Sequence, residues 1–171
     1  MNRLEPPDSL HLQAAQGWLE LGNHLEADAE LERITPQLRA HPMVLTVRWE
    51  IYAVAKKWEA ALDIAAALIQ LDPDDPLGWI HRSYALHELK RTTEARDNLL
   101  RVADNFPISA TVRYNLACYN ASWAGLNRPR TGSKSIRTGR REENEAGGAG
   151  RPGLGAALEE YSRSANLTYQ H

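Results

Sequence analysis

Three alanines stand 34 residues apart, at Ala27, Ala61 and Ala95, and each opens an apolar ladder. Around the middle one, Trp58, Ala61, Leu62, Ala65, Leu68 and Ile69 fall at offsets of 0, 3, 4, 7, 10 and 11, which is one face of an α-helix. Ala27, Leu31, Ile34 and Leu38 repeat the pattern one period earlier, and Ala95, Leu99, Val102 and Phe106 one period later. Pro73 and Pro107, themselves one period apart, stop two of these helices, because proline lacks a donor and restricts the residue before it. A fixed period of this length implies stacked helical units that share one elongated core.

Each ladder has an apolar partner upstream. Residues 9–21 carry Ala14, Ala15 and Trp18; residues 43–55 carry Leu45, Trp49 and Tyr52; residues 77–88 carry Leu77, Trp79, Ile80, Ser83, Tyr84 and Leu86. Short connections between long helices force antiparallel neighbours. Ala15, Ser83 and Ala117 share one register position, where a small side chain lets paired helices approach, whereas Trp49 holds that position in the second unit. The expected fold is all-α: three helical hairpins, at about 8–41, 42–75 and 76–109, stacked in a right-handed superhelix, then a lone seventh helix at 108–121. That last helix begins a fourth unit with no apolar ladder after it. It therefore turns Leu116 and Tyr119 toward a missing eighth helix, which predicts an exposed patch near Val112, Leu116 and Tyr119 and weak self-association.

The chain changes material near residue 122. Residues 1–121 carry a net charge of −5 and three glycines; residues 122–171 carry +3 and eight glycines. A segment rich in Gly, Arg, Ser and Pro cannot bury enough apolar surface to offset the entropy of ordering, so 122–171 is expected to be disordered. Three readings of this tail stay open: a basic segment contacting nucleic acid, a solvated linker, or the product of a shifted reading frame. A hydrophobic share of 43% supports a core, and a single cysteine, Cys118, leaves no internal disulfide framework. No apolar run approaches the roughly 20 residues needed to span a bilayer. The expected location is cytoplasmic.

No residue pattern points to catalysis, a metal or a cofactor. His11, His24, His41, His81 and His87 are scattered, and the last two lie six residues apart, on different faces of one helix. Asp72, Asp74 and Asp75 sit among two prolines without the spacing of a calcium loop, so they read as turn and cap residues. Cys118 has no activating neighbour in the sequence and reads as a small apolar residue.

The order of small residue, aromatic three positions on, alanine nine further, then proline resembles the tetratricopeptide-repeat family. Ala15–Trp18–Ala27 carries it without the closing proline, Arg39 standing there; Tyr52–Ala61–Pro73 and Ser83–Leu86–Ala95–Pro107 carry it again. The resemblance covers about two-thirds of the chain. It implies a non-catalytic adaptor or scaffold whose first helices line a concave groove for a peptide or partner helix. The helix face opposite the small residues gives Leu12, Gln16, Leu19, Val47, Glu50, Val54, His81, Tyr84, His87, Tyr114 and Asn115 as groove candidates. Members that clamp a C-terminal carboxylate use Lys, Arg and Asn at sites occupied here by Leu12, Gln16, Val47, Leu77 and His81, so that clamp is not expected. A mixed apolar and weakly acidic groove suits an apolar or basic segment. The alternative is a bacterial chaperone or a regulatory subunit acting on an enzyme or secretion apparatus.

Overall fold

The computed structural model describes residues 4–126, with side chains through residue 122. Seven α-helices follow one another: α1 Asp8–Glu20, α2 His24–Arg33, α3 Pro42–Val54, α4 Trp58–Leu71, α5 Pro76–Glu88, α6 Thr92–Leu100 and α7 Ala110–Leu126. Short 3-10 turns at Pro36–Leu38 and Ala103–Asn105 link the first hairpin to the second and the third to α7. No strand occurs among the described residues. Helices pack chiefly on their sequence neighbours, α1 on α2, α3 on α4, α5 on α6, with α2–α3, α4–α5 and α6–α7 joining the hairpins.

Local chemistry sets the boundaries. Pro42 and Pro76 open α3 and α5 at positions where a helix has no use for the missing N–H. The side chains of His41 and Asp75 accept hydrogen bonds from the N–H groups of Met43 and Leu77, and Asn23 caps α2 by accepting from Glu26 N–H at 3.2 Å. Each hairpin turns through one residue in the left-handed region: Gly22 at φ 76°, Lys56 at 56° and Lys90 at 65°. The same pair of bonds closes all three turns. The N–H groups of Asn23, Lys57 and Arg91 donate to the carbonyls of Trp18, Tyr52 and Leu86 at 2.8–2.9 Å, and those of Gly22, Lys56 and Lys90 donate to Leu19, Ala53 and His87.

The three period-marking alanines, Ala27, Ala61 and Ala95, are fully buried at the centre of their hairpins. Ala27 belongs to a cluster spanning the first two hairpins with Leu12, Ala15, Leu31, Ile34, Val44, Val47 and Ile51. In the third hairpin a polar pair supplements the packing: the Ser83 hydroxyl donates to Ala95 O at 3.1 Å and accepts from the Asn98 amide at 2.8 Å, which also donates to Trp79 O. In the first unit α2 ends at Arg33, with Ile34 extended, and Arg39 stands where the later units have their closing proline. Its guanidinium donates to Ile34 O at 2.9 Å and pairs with Glu32, and Glu32 also binds Arg48 of α3.

Two expectations change. The seventh helix does not stop at residue 121: it starts at Ala110 and continues through Gly125 to Leu126. The predicted patch at Val112, Leu116 and Tyr119 is absent. Val112 and Tyr119 are fully buried, and Tyr119 and Leu116 pack with Leu86, Ala95 and Leu99 of the third hairpin. The face of α7 left uncovered carries Arg113, Tyr114, Ala117 and Ala121. Residues 122–126, expected to be disordered with the tail, form the end of α7; the readings made of the rest of the tail fall on residues 127–171, outside those described.

Candidate functional site

The first helices α1, α3, α5 and α7 repeat at the 34-residue period, so residues of equal register form rows across them. One row is Gln16, Glu50, Tyr84 and Cys118; beside it run Leu19, Ala53 and His87, and Glu20, Val54 and Glu88. These rows run side by side along the first helices. Gln16, Leu19, Glu50 and His87 are half-buried, while Val54 and Tyr114 are exposed.

Five of the eleven sequence candidates are enclosed by the packing. Leu12, Val47, His81 and Asn115 are buried between helices, and Tyr84 retains only 9% of its surface. Leu12 and Val47 belong to the core cluster of the first two hairpins. The cause is geometric. A first helix is flanked by its own second helix and by the hairpins before and after it, which leaves a narrow free stripe.

His81 and Tyr84 form an aromatic floor beneath the rows with Trp49 and Trp58. The Trp49 indole stacks on the His81 imidazole with centroids 3.8 Å apart and planes 3° from parallel. Tyr84 stands edge-on to both tryptophans, at 6.1 Å from Trp49 and 5.7 Å from Trp58. The bulk of Trp49 at a small-residue position is thus taken up by the following hairpin through its His81 and Tyr84. The neighbourhood of Trp49 was not read from the sequence; the one available signal was this break in the small-residue rule.

The floor is electrically quiet. Burial drives the His81 pKa down to about 3, so the ring is neutral at pH 7, and its Nδ1 has no hydrogen-bond partner. Burial also holds His87 below its ordinary value, the Glu88 carboxylate opposing this in part, and its Nδ1 lies 3.0 Å from Thr92 Oγ1. Burial first and Glu88 second raise the Tyr84 phenol. The adjacent Cys118 thiol raises that of Tyr114. Among the eleven candidates, Glu50 is the one carboxylate, and Glu88 adds a second half-buried one on α5. Among the described residues no group of three or more His, Cys, Asp or Glu could hold a metal ion, and no helix is long and apolar enough to cross a membrane.

No protein-family model matches the sequence, and neither does any curated protein. Solved structures do resemble it. The first TPR domain of the human RPAP3 protein, determined by NMR, superposes with a TM-score of 0.61 at 18% identity, over 69% of this chain and 93% of that one. The first TPR of Spaghetti (RPAP3), bound to the HSP90 peptide SRMEEVD, gives 0.61 at 19% identity, over 71% and 97%. The chain folds as a tetratricopeptide-repeat-like solenoid of helix pairs.

Proposed function

We propose that this protein is a non-catalytic interaction module that binds a helical or extended segment of another protein along the first-helix side of its stack. The observation that carries the reading is the set of accessible side chains in register rows, Gln16, Leu19, Glu50, Val54 and His87, with exposed Tyr114 of α7 outside those rows. Repetition at one register gives a partner periodic contacts, with apolar Leu19 and Val54 beside polar Gln16 and Glu50. The fold likeness to a domain bound to an HSP90 peptide supports a peptide-sized partner.

The chemistry of the partner differs from that peptide. SRMEEVD carries three acidic side chains, whereas the clamp sites of this chain hold Leu12, Gln16, Val47, Leu77 and His81, four of them buried. Glu50 and Glu88 repel a carboxylate and attract a cation, which favours an apolar segment with Lys or Arg over an acidic chain end. Titration calorimetry should compare a Lys- and Leu-rich amphipathic peptide with SRMEEVD. Binding of the basic peptide should weaken in Val54→Glu and Glu50→Lys variants. Preferential binding of SRMEEVD, lost on amidation of its C-terminus, would overturn the reading.

A further inference from the structure

Glu88 is the last residue of α5, and its placement runs against three ordinary rules for a charge. A carboxylate at a helix C-terminus faces the negative end of the backbone dipole. Partial burial strips water from it. A neighbouring cation normally offsets both effects, yet among the described residues Glu88 has no ion pair and no hydrogen bond. Arg91 of the following turn pairs with Glu94 at 2.8 Å, and Lys90 is exposed. The same register holds Glu20 in α1, Val54 in α3 and Ser122 in α7, all exposed, so α5 alone half-buries a carboxylate there.

The surroundings of Glu88 are aromatic. Tyr84 lies one turn before it on the same face of α5, and His87 is its neighbour. Tyr119 reaches across from α7, its ring centroid 5.1 Å from that of His87. Tyr119 is fully buried, and its hydroxyl has no hydrogen-bond partner among the described residues, although a phenol both donates and accepts. Burial raises the Tyr119 phenol most, and Cys118, Tyr84 and Glu88 add to the rise. Burial and then Glu88 raise Tyr84, and Glu88 opposes the burial that lowers His87. All three rings, on two helices, therefore lie within reach of the Glu88 charge. A carboxylate and a phenol, neither with a partner, adjoin here beside aromatic carbon.

We propose that this corner between α5 and α7 is a subsite for an arginine side chain of the partner protein, formed by Glu88, Tyr119, Tyr84 and His87. It rests on the reading that a basic segment binds along the first helices, and it adds which cation that segment presents and where. A guanidinium is planar and carries five N–H donors in a fixed fork. Two of them match the Glu88 carboxylate, and another can donate to the Tyr119 hydroxyl. Its flat face stacks on aromatic rings, and it sheds water more readily than an ammonium does. A lysine answers the charge but offers no plane to the rings. The positive group also suits the end of α5, where the last carbonyls carry partial negative charge. In the earlier pairs of first helices the matching positions hold Glu20 with Ile51 and Val54 with Ala85, neither of which joins a carboxylate to an aromatic ring. The subsite thus occurs once among the described helices.

N-acetylarginine methylamide and its lysine counterpart, added to the full chain, test the subsite without any partner peptide. Followed by NMR, the arginine probe should perturb the Tyr84 and Tyr119 rings with a dissociation constant on the order of 10 mM. The lysine probe should bind at least about threefold more weakly. Glu88→Gln should weaken arginine binding at least about tenfold, and Tyr119→Phe about threefold. Tyr119→Phe deletes a buried hydroxyl that has no partner, so thermal melts should show a fold at least as stable as the wild type. A purely structural tyrosine would lose binding only together with stability. Equal affinity for the two probes, no binding to the wild-type chain, or unchanged arginine binding in Glu88→Gln would overturn the subsite. Calorimetry with an Arg- and Leu-rich amphipathic peptide separates it from the broader reading. Peptide binding that ignores Glu88→Gln sinks the subsite alone, whereas arginine binding without peptide binding sinks the reading of an extended segment.

Discussion

The Trp49 indole and the His81 imidazole lie face to face, 3.8 Å between centroids, and His81 is wholly enclosed. Enclosure keeps the ring neutral, with a pKa near 3 against an ordinary 6.5. The unfolded chain takes up a proton at His81 below pH 6.5 that the folded chain accepts only near 3. Stability is therefore fully present above about pH 6.5 and falls as pH is lowered through that window, by up to about 1.4 kcal/mol per unit. His81→Phe keeps a flat ring against Trp49 and removes the titration. Urea unfolding at pH 7 and pH 5 should show a smaller acid loss in the variant; equal losses would mean that the folded protein lets His81 protonate.

Ala61 and Asp63 are two residues apart on α4, one fully buried and the other exposed. Ala61→Trp forces an indole into the α3–α4 contact and should cost more than about 2 kcal/mol. Asp63→Ala should stay within about 0.5 kcal/mol. Chemical denaturation of the pair reads the difference directly, and similar midpoints would contradict the packing of α4.

Lys56 and Lys90 turn their hairpins in the left-handed region, where a side chain crowds the backbone, at the register of Gly22. Replacing either with glycine relieves about 1 kcal/mol of strain and returns part of it as chain entropy, for a net gain of about 0.5 kcal/mol. Gly22→Lys should lose about as much or more. A thermal melt of the three variants would show the first two rising and the third falling.

Tyr84 and Tyr114 should separate. Tyr84 bridges Trp49 and Trp58, so Tyr84→Ala empties part of the floor and should cost about 3 kcal/mol. Tyr114 is 42% exposed, and Tyr114→Ala should cost less than about 0.5 kcal/mol. Measured stabilities that fail to split in this way would show that the floor is not packed as described.

The hairpins were legible because their signal is redundant: Ala27, Ala61 and Ala95 announce the same contact three times, and Pro73 and Pro107 mark the same stop twice. The groove was less legible. Periodicity gives the register of a first helix but not its rotation, and residue type misleads where three sides are covered. Polar His81 and Asn115 are buried, whereas apolar Val54 is open. The turns hid for another reason, since lysine at 56 and 90 gives no hint of a left-handed backbone. The end of α7 was illegible because its apolar pattern fades after Tyr119 while the helix runs on through Gly125 to Leu126.

Ala117 has the register of Ala15 and Ser83, both fully covered by their own second helices, yet it is exposed. Among the described residues, helix α7 is braced chiefly by α6, and less by α5. In a stack where each unit is held only by its neighbours, this inequality becomes a gradient of opening. Amide hydrogens of α7 should exchange with solvent well before those of α3, α4 and α5, so that the chain unravels inward from Leu126 while its middle hairpin is still closed.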